Sequence, residues 1–372
     1  MKCSVVSENF KKALLLVERS TSKDLTLPIL SSFLISTESG SLRITGTNLE
    51  VGIETNIRST IQDNGKVAIP ARTLSSYIST IPKDEKIILE SKDIDLIIHT
   101  QTQKTILKGY AQDDFPPFPQ IKDLYKLSVK KQDIIQVISR NLISVSKSNI
   151  KPELASMYFV LDKDILIIAS TDSFRLSEER IKPTAFSPKI ARESFLLPLR
   201  TCEELIKLLE YGEGEEVIFF IGKGELCIRY NDTNLYSRLT EGNFPDYQQI
   251  IPKKFITQVT ISRSVLAGHI KRASIFSNKL QAISLTFSPE TGDCVIESNN
   301  RDIGEYKATM KAEIQGDKLS IVFNYHYLLE GIDIYSDDSL FFGFNNESQP
   351  LLIRPVKKEE SLYVVMPMKG GI

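Results

Sequence analysis

VAIPARTLSSYISTIP, residues 67–82, decides the fold because the chain says it again. It reads as a short apolar strand entering a helix, with a proline at the junction. The passage returns as FLLPLRTCEELIKLLE at 195–210 and as SIVFNYHYLLEGI at 320–332. Pro70 and Pro198 lie 128 residues apart, and Thr47 and Thr171 lie 124 apart. Three units of about 124 residues fill the 372, the signature of a repeat-built architecture.

Three further features recur in the same order around that passage. Before it comes a longer amphipathic helix, in SENFKKALLLVERSTSK (7–23), KKQDIIQVISRNLISVSKSNIK (130–151) and SRSVLAGHIKRASIFSNK (262–279). Apolar residues fall at helical spacing: Phe10, Ala13, Leu14 and Val17; Ile134, Val137, Ile138 and Leu142; Leu266, Ile270 and Ala273. Each helix leads into an alternating strand: SSFLIST, SMYFVLD or AISLTFS. A strand ending in a polar turn follows (LRITGTNLEVGIE, LIIASTDSFRLSEE, CVIESNNRDIGEY), and each unit closes on GYAQDDFPPFP, LTEGNFPDYQQIIP or VVMPM. The expected fold is therefore α+β: three tandem copies of a domain in which two helices pack on antiparallel sheets. The boundaries expected are 1–122, 123–252 and 253–372, with proline-rich linkers at the first two junctions.

The catalytic inventory is thin. No GxSxG, Walker loop or GxGxxG is present. His99, His269 and His326 form no HExxH or HxxxH pattern, and Cys3, Cys202, Cys227 and Cys294 show no CxxC spacing. Asp172 and Glu178 could be drawn as an acid–base pair, but scattered carboxylates are usually solvated. The expectation is no catalytic residue, no metal and no cofactor. MKCSVVSENF lacks the pattern of a signal peptide, and apolar runs such as ALLLV at 13–17 are too short to span a membrane. A cytoplasmic protein with no membrane partner is expected.

Net charge is −1, yet its distribution is uneven. The first long helix and its flanks set Lys11, Lys12, Arg19 and Lys23 against Glu8 and Glu18. The second sets Lys130, Lys131, Arg140, Lys147 and Lys151 against Asp133; the third carries Arg263, Lys271, Arg272 and Lys279 unopposed. These segments total +10, leaving −11 for the rest. One sign in three equivalent places points to a basic face that attracts a phosphate backbone without reading sequence. Six helices per chain give twelve in a dimer. Spaced about 8 to 10 Å apart around a ring, twelve leave a hole of roughly 21 to 28 Å, whereas six leave under ~10 Å. Only the larger passes duplex DNA.

TLPILSS (26–32), TGTNLEVGI (45–53), DDFPPFP (113–119), STDSFRLSEE (170–179), GNFPDYQQIIP (242–252), FSNKLQAISL (276–285) and the terminal YVVMPM together resemble the bacterial sliding clamp family, the beta subunit of the replicative DNA polymerase. The resemblance covers the whole chain. It implies the DNA-clamp fold: a homodimeric ring around duplex DNA that tethers polymerase subunits, is opened by a clamp loader, and also receives repair factors. Partners would dock short linear motifs in a groove formed here by Leu154, Thr171, Ser173, Phe174, Arg175, Leu176, Pro245, Ile250, Pro350, Val364, Met366, Pro367 and Met368. Arg175 and Thr171 would orient the motif's backbone or glutamine. DNA would meet Lys23, Arg72, Lys147, Lys151, Arg200, Lys271 and Arg272, and the dimer contact would join Leu107 to Ile275 and Phe276.

The chain departs from the family pattern in Ser173 and Phe174, where TDGHRL has glycine and histidine, in Asp24, where an arginine is common, and in the added Gly370, Gly371 and Ile372. Rival readings remain. A triplicated structural or ligand-binding scaffold without DNA needs no basic helix set, and an enzyme would need a cleft with convergent ionisable groups. For VVMPM itself, Met366 and Met368 are either caps on a strand's core or part of an adaptable binding wall.

Overall fold

The computed structural model describes residues 1–22, 27–38, 40–118, 121, 125–187 and 192–369. Among them are six α-helices: α1 (Ser7–Glu18), α2 (Ala71–Ser79), α3 (Lys131–Leu142), α4 (Leu199–Tyr211), α5 (Arg263–Ser274) and α6 (Tyr325–Asp333). Every sheet is antiparallel. Pro70 and Pro198 each close a strand and hand the chain directly to α2 and α4, where a proline's fixed φ suits a helix start and its missing N–H costs nothing.

The long helices are shorter than the periodicity suggests. In α1 the Ser20 and Thr21 hydroxyls turn back onto Val17 O and Glu18 O, side-chain bonds that compete with another helical turn. The expected stripe of α1 is buried, as are Leu266, Ile270 and Ala273 of α5. In α3, Leu142 is only half-buried, and Arg140 and Asn141 go inside with Ile134, Val137 and Ile138.

By packing, the chain groups into two compact units. One comprises Met1–Gln132, Pro183–Ile190 and Arg200–Leu239; the other comprises Asp133–Lys182, Ala191–Leu199 and Thr240–Ile372. The middle third of the sequence is divided between them. In the first unit, Thr233–Arg238 pairs with Val51–Arg58 inside a nine-stranded sheet, so residues some 180 apart share one ladder. A five-stranded sheet of the same unit ends on the edge strand Lys104–Leu107, and α1 lies against α2.

In the second unit, Arg175–Ile181 pairs with Ser361–Val365 within another nine-stranded sheet. A four-stranded sheet has Gly304–Lys311 and Leu319–Asn324 at its edges. Its core gathers Leu266 and Ile270 of α5, Leu328 and Ile332 of α6, and Phe287, Phe323, Phe342 and Tyr363 from the strands. Gly331 of α6 is required where Tyr363 passes, because a Cβ there would lie 2.1 Å from the ring.

Candidate functional site

Several residues of the groove expected in the second unit meet at the turn after strand Ile165–Thr171. Asp172 Oδ1 accepts the N–H groups of Phe174 and Arg175, and Thr171 Oγ1 accepts Ser173 N–H while donating to Arg175 O at 2.6 Å. These bonds hold Ser173 at φ +79, a conformation that glycine adopts without strain and serine does not. The one hydroxyl donor of Thr171 is thereby committed inside the turn.

Arg175 is also engaged. Its guanidinium pairs with Asp172 at 2.9 Å, meets the Glu330 carboxylate, and lies 4.4 Å from the centroid of the Tyr327 ring. Phe174, 59% exposed, stacks beside the same ring at 6.3 Å. Tyr327 and Glu330 stand one helical turn apart on α6 and were not singled out from sequence. Their i, i+3 spacing, which puts them on one face, is the signal that could have found them. The result is an aromatic wall with an exposed Phe174, behind which the Arg175 guanidinium is held between Asp172 and Glu330.

The floor comes from the sheet. Leu176 faces Val364, and Arg175 faces Val365; Leu176 and Val364 are almost fully buried. Leu154 is buried in the loop after α3. The terminus is stitched at two points: Met366 N–H donates to Phe174 O at 2.9 Å, and Met368 N–H to Val322 O at 2.8 Å. Ile250, Pro350 and Met366 line a cavity of about 550 Å³, together with Gln248, Gln249 and Gln349. The amides, Asn345 and Lys253 of this cavity were missed because isolated glutamines carry no periodic signal. Pro245 is exposed and Pro367 half-buried. Gly370–Ile372 lie outside the described residues.

Asp172 and Glu178, expected to be scattered solvated carboxylates, are both held by partners. Glu178 is 1% exposed, accepts Tyr247 Oη–H at 2.6 Å and pairs with Arg180. Its neighbour Glu179 is also buried, which raises its pKa although Ser361 and Arg140 pull the other way. Arg140 reaches Glu179 at 3.2 Å and Ile334 O. Arg140 therefore belongs to a buried network and not to the basic face it was counted in. The basic count of α5 is likewise offset, because Asp333 of α6 lies 3.9 Å from Arg263 and 3.6 Å from Lys271.

What remains basic is local. In the first unit Arg72 of α2 and Arg200 of α4 line one cleft of about 1120 Å³ with Arg19, counted above in the basic helix set, and with Lys207, which the sequence reading did not name. Glu204 sits among them, 2.8 Å from Arg19 and 3.2 Å from Lys207, and Arg200 lies 3.8 Å from Glu50. In the second unit Lys147 and Lys151 are exposed in the loop after α3, and Lys271 and Arg272 end α5. Lys23 and Asp24 lie outside the described residues.

At the anticipated dimer patch, Ile275 is 63% exposed. Phe276 stacks on Tyr306 with centroids 6.2 Å apart, and the Tyr306 hydroxyl meets His269 Nδ1 at 2.8 Å and Arg272 Nε at 3.1 Å. In the other unit, Leu107 is half-buried at the end of its edge strand, and its neighbour Ile106 is the more exposed residue. Alternation along the strand turns the two to opposite faces. Among the described residues, no cluster of His, Cys, Asp and Glu could hold a metal ion, and no helix is long and apolar enough to cross a membrane.

Comparison with known proteins agrees with this geometry. Three family models match in tandem: DNA polymerase III beta subunit, N-terminal domain at 1–119, central domain at 128–246 and C-terminal domain at 248–369. The "Beta sliding clamp" of Synechococcus elongatus is 25% identical over 99% of each chain, and that of Pseudomonas aeruginosa is 26% identical over 99% of this chain and all of its own. The crystal structure of the Pseudomonas aeruginosa DNA polymerase III subunit beta matches with a TM-score of 0.94 at 26% identity over the full length of both chains. A second structure from that organism, with griselimycin bound, matches equally well.

Proposed function

The chain belongs to the DNA polymerase III beta subunit family, and on that premise we propose that it is a sliding clamp whose partners dock in the groove built on Phe174, Arg175 and Met366. It is an accessory protein of DNA replication with no catalytic residue of its own. Two chains, each of three domains (1–122, 123–252 and 253–372), close head to tail around duplex DNA in the cytoplasm, and the ring tethers polymerase subunits, the clamp loader and repair factors. The observation that carries this reading is the succession of three domain models across the whole chain.

The geometry supports the parts in turn. The exposed edge strands Lys104–Leu107 and Gly304–Lys311 present unpaired backbone groups, and a strand edge is satisfied by a second chain. Ile106 and Ile275 give that contact apolar surface. Leu107 and Phe276 support it from beneath. Arg72 and Arg200, joined by Lys147, Lys151, Lys271, Arg272 and Lys23, hold the duplex through its phosphates, which gives affinity without sequence preference. Arg19 and Lys207 act with them.

In the groove, a partner's apolar side chains rest on the exposed Phe174, Ile250 and Met366 beside Pro245 and Pro350, above the buried support of Leu154, Leu176 and Val364, with Pro367 and Met368 holding the terminal wall. Ser173 sets the turn, Thr171 locks it, and Arg175 polarises one end. On a primed circular template, adding this protein with a clamp loader and ATP should lengthen the product made per polymerase binding event. Product of unchanged length would contradict the proposal.

A further inference from the structure

The first unit contains a second copy of the turn that shapes the groove. Asn48 Oδ1 accepts the N–H groups of Glu50 and Val51, as Asp172 does for Phe174 and Arg175. Thr47 Oγ1 donates to Val51 O and accepts Leu49 N–H, the same two bonds that Thr171 makes. Leu49 stands at φ +76, beside +79 for Ser173. The floors are also in register, Tyr236 facing Gly52 where Val364 faces Leu176. Phe115 and Pro116 then take the places of Phe244 and Pro245 in the sequence repeat.

A recess of about 190 Å³ lies at this turn, closed by Phe118 and Tyr236. Its chemistry is inverted relative to the groove. The floor is aromatic, with the Phe118 and Tyr236 rings 4.7 Å apart and tilted by 30°. Gly52 admits them, since a Cβ there would lie 1.9 Å from Phe118. On the rim, Glu50 replaces Phe174. Glu225 replaces Pro350, because Leu226 and Leu351 hold equivalent register positions one residue on. Buried Val51 stands where the groove has the Arg175 guanidinium. The Glu50 side chain is 76% exposed, with Arg200 at 3.8 Å. Arg238, in the place of Met366, is the one cation among the described residues lining the recess.

We propose that this recess is a second peptide site, selective for a partner segment that lays an arginine or lysine side chain over Phe118 and Tyr236, between the carboxylates of Glu50 and Glu225. A cation gains from aromatic faces and from carboxylates at once, and a guanidinium gains most because it is planar and weakly hydrated. The groove at Phe174 and Met366 selects apolar anchors, so one chain holds two sites of opposite preference that do not compete.

The test uses the full-length protein with labelled leucine, valine and methionine methyl groups. One probe is a blocked hexapeptide with a central Ser-Arg-Ser and no apolar anchor; the other is a blocked hexapeptide with leucine and phenylalanine anchors. The arginine peptide should shift the Leu49 and Val51 methyls and leave Met366 and Val364 unmoved, and the second peptide should do the reverse. Glu225→Lys should weaken the arginine peptide at least tenfold without affecting the other. Citrulline in place of arginine, which keeps the planar shape and length but removes the charge and turns one donor group into an acceptor, should weaken binding to the unaltered protein equally. The proposal is overturned if Leu49 and Val51 stay unmoved at millimolar arginine peptide, if citrulline binds as well as arginine, or if the leucine–phenylalanine peptide shifts Leu49. None of these readings needs DNA or a ring, so the result stands apart from the clamp assignment.

Discussion

Removing Met366–Ile372 separates a binding wall from a core cap at the terminus. The cut ends the chain at Val365, which is fully buried and paired with Arg175 and Leu351, so the last strand survives. Two backbone hydrogen bonds are lost, from Met366 N–H to Phe174 O and from Met368 N–H to Val322 O, at about 1 kcal/mol each. That is a tolerable loss for a domain, and the edge strands proposed for the dimer contact are untouched. The groove loses far more. Met366 is 36% exposed, and Met368 is half-buried beyond it. Covering two methionine-sized contacts is worth roughly 3 to 6 kcal/mol, against about 8 kcal/mol for a micromolar peptide. The truncated protein should bind a fluorescent polymerase-tail peptide at least ~100-fold more weakly by anisotropy while sedimenting as a dimer. Unchanged affinity in a dimeric truncation would refute the reasoning and leave Met366 and Met368 as core caps.

Ile275→Arg should yield monomers in sedimentation velocity, because a charge at an exposed apolar residue has no partner across a buried contact; a variant that stays dimeric places the interface elsewhere. Replacing Arg72 and Arg200 together with glutamine should lower the slope of log affinity against log salt by about two, roughly 0.9 per phosphate contact, equally on every duplex sequence. His269 carries a pH dependence. Burial and the neighbouring Arg272 lower its pKa below the ordinary 6.5, and the Tyr306 hydroxyl can donate only to the neutral ring. The unfolded chain then binds the proton more readily. This contribution is complete above pH 6.5 and fades as pH falls through the folded-state value. Melting temperature between pH 8 and 5 should drop less in His269→Gln than in the unaltered protein, and equal drops would remove His269 from the account.

Much of the fold is legible because its signals are local and repeated. Pro70 and Pro198 mark strand-to-helix passages that the structure reproduces, and the stripe Phe10, Ala13, Leu14 and Val17 is the buried face of α1. What the sequence conceals is long-range. Arg140 reads as a surface cation, and only its meeting with Glu179, 39 residues away, puts it inside. Arg175 reads as a free ligand contact until α6 brings Tyr327 and Glu330 against it. The division of the middle repeat between two compact units follows from pairings such as Tyr236 with Gly52, which no periodicity encodes. Motif likeness singled out the turn at Phe174 and the terminus at Met366, which a backbone hydrogen bond joins, but not the amides of Gln248, Gln249 and Gln349.

The central claim is topological, and retention on DNA measures it most directly. Protein loaded by a clamp loader and ATP onto singly nicked circular DNA is passed through a sizing column in high salt, and the DNA is then linearised. A closed ring stays with the circle despite salt that strips phosphate contacts, and it is lost from the linear form within the time it takes to slide off an end. Equal loss from both forms, or equal retention on both, would contradict the account.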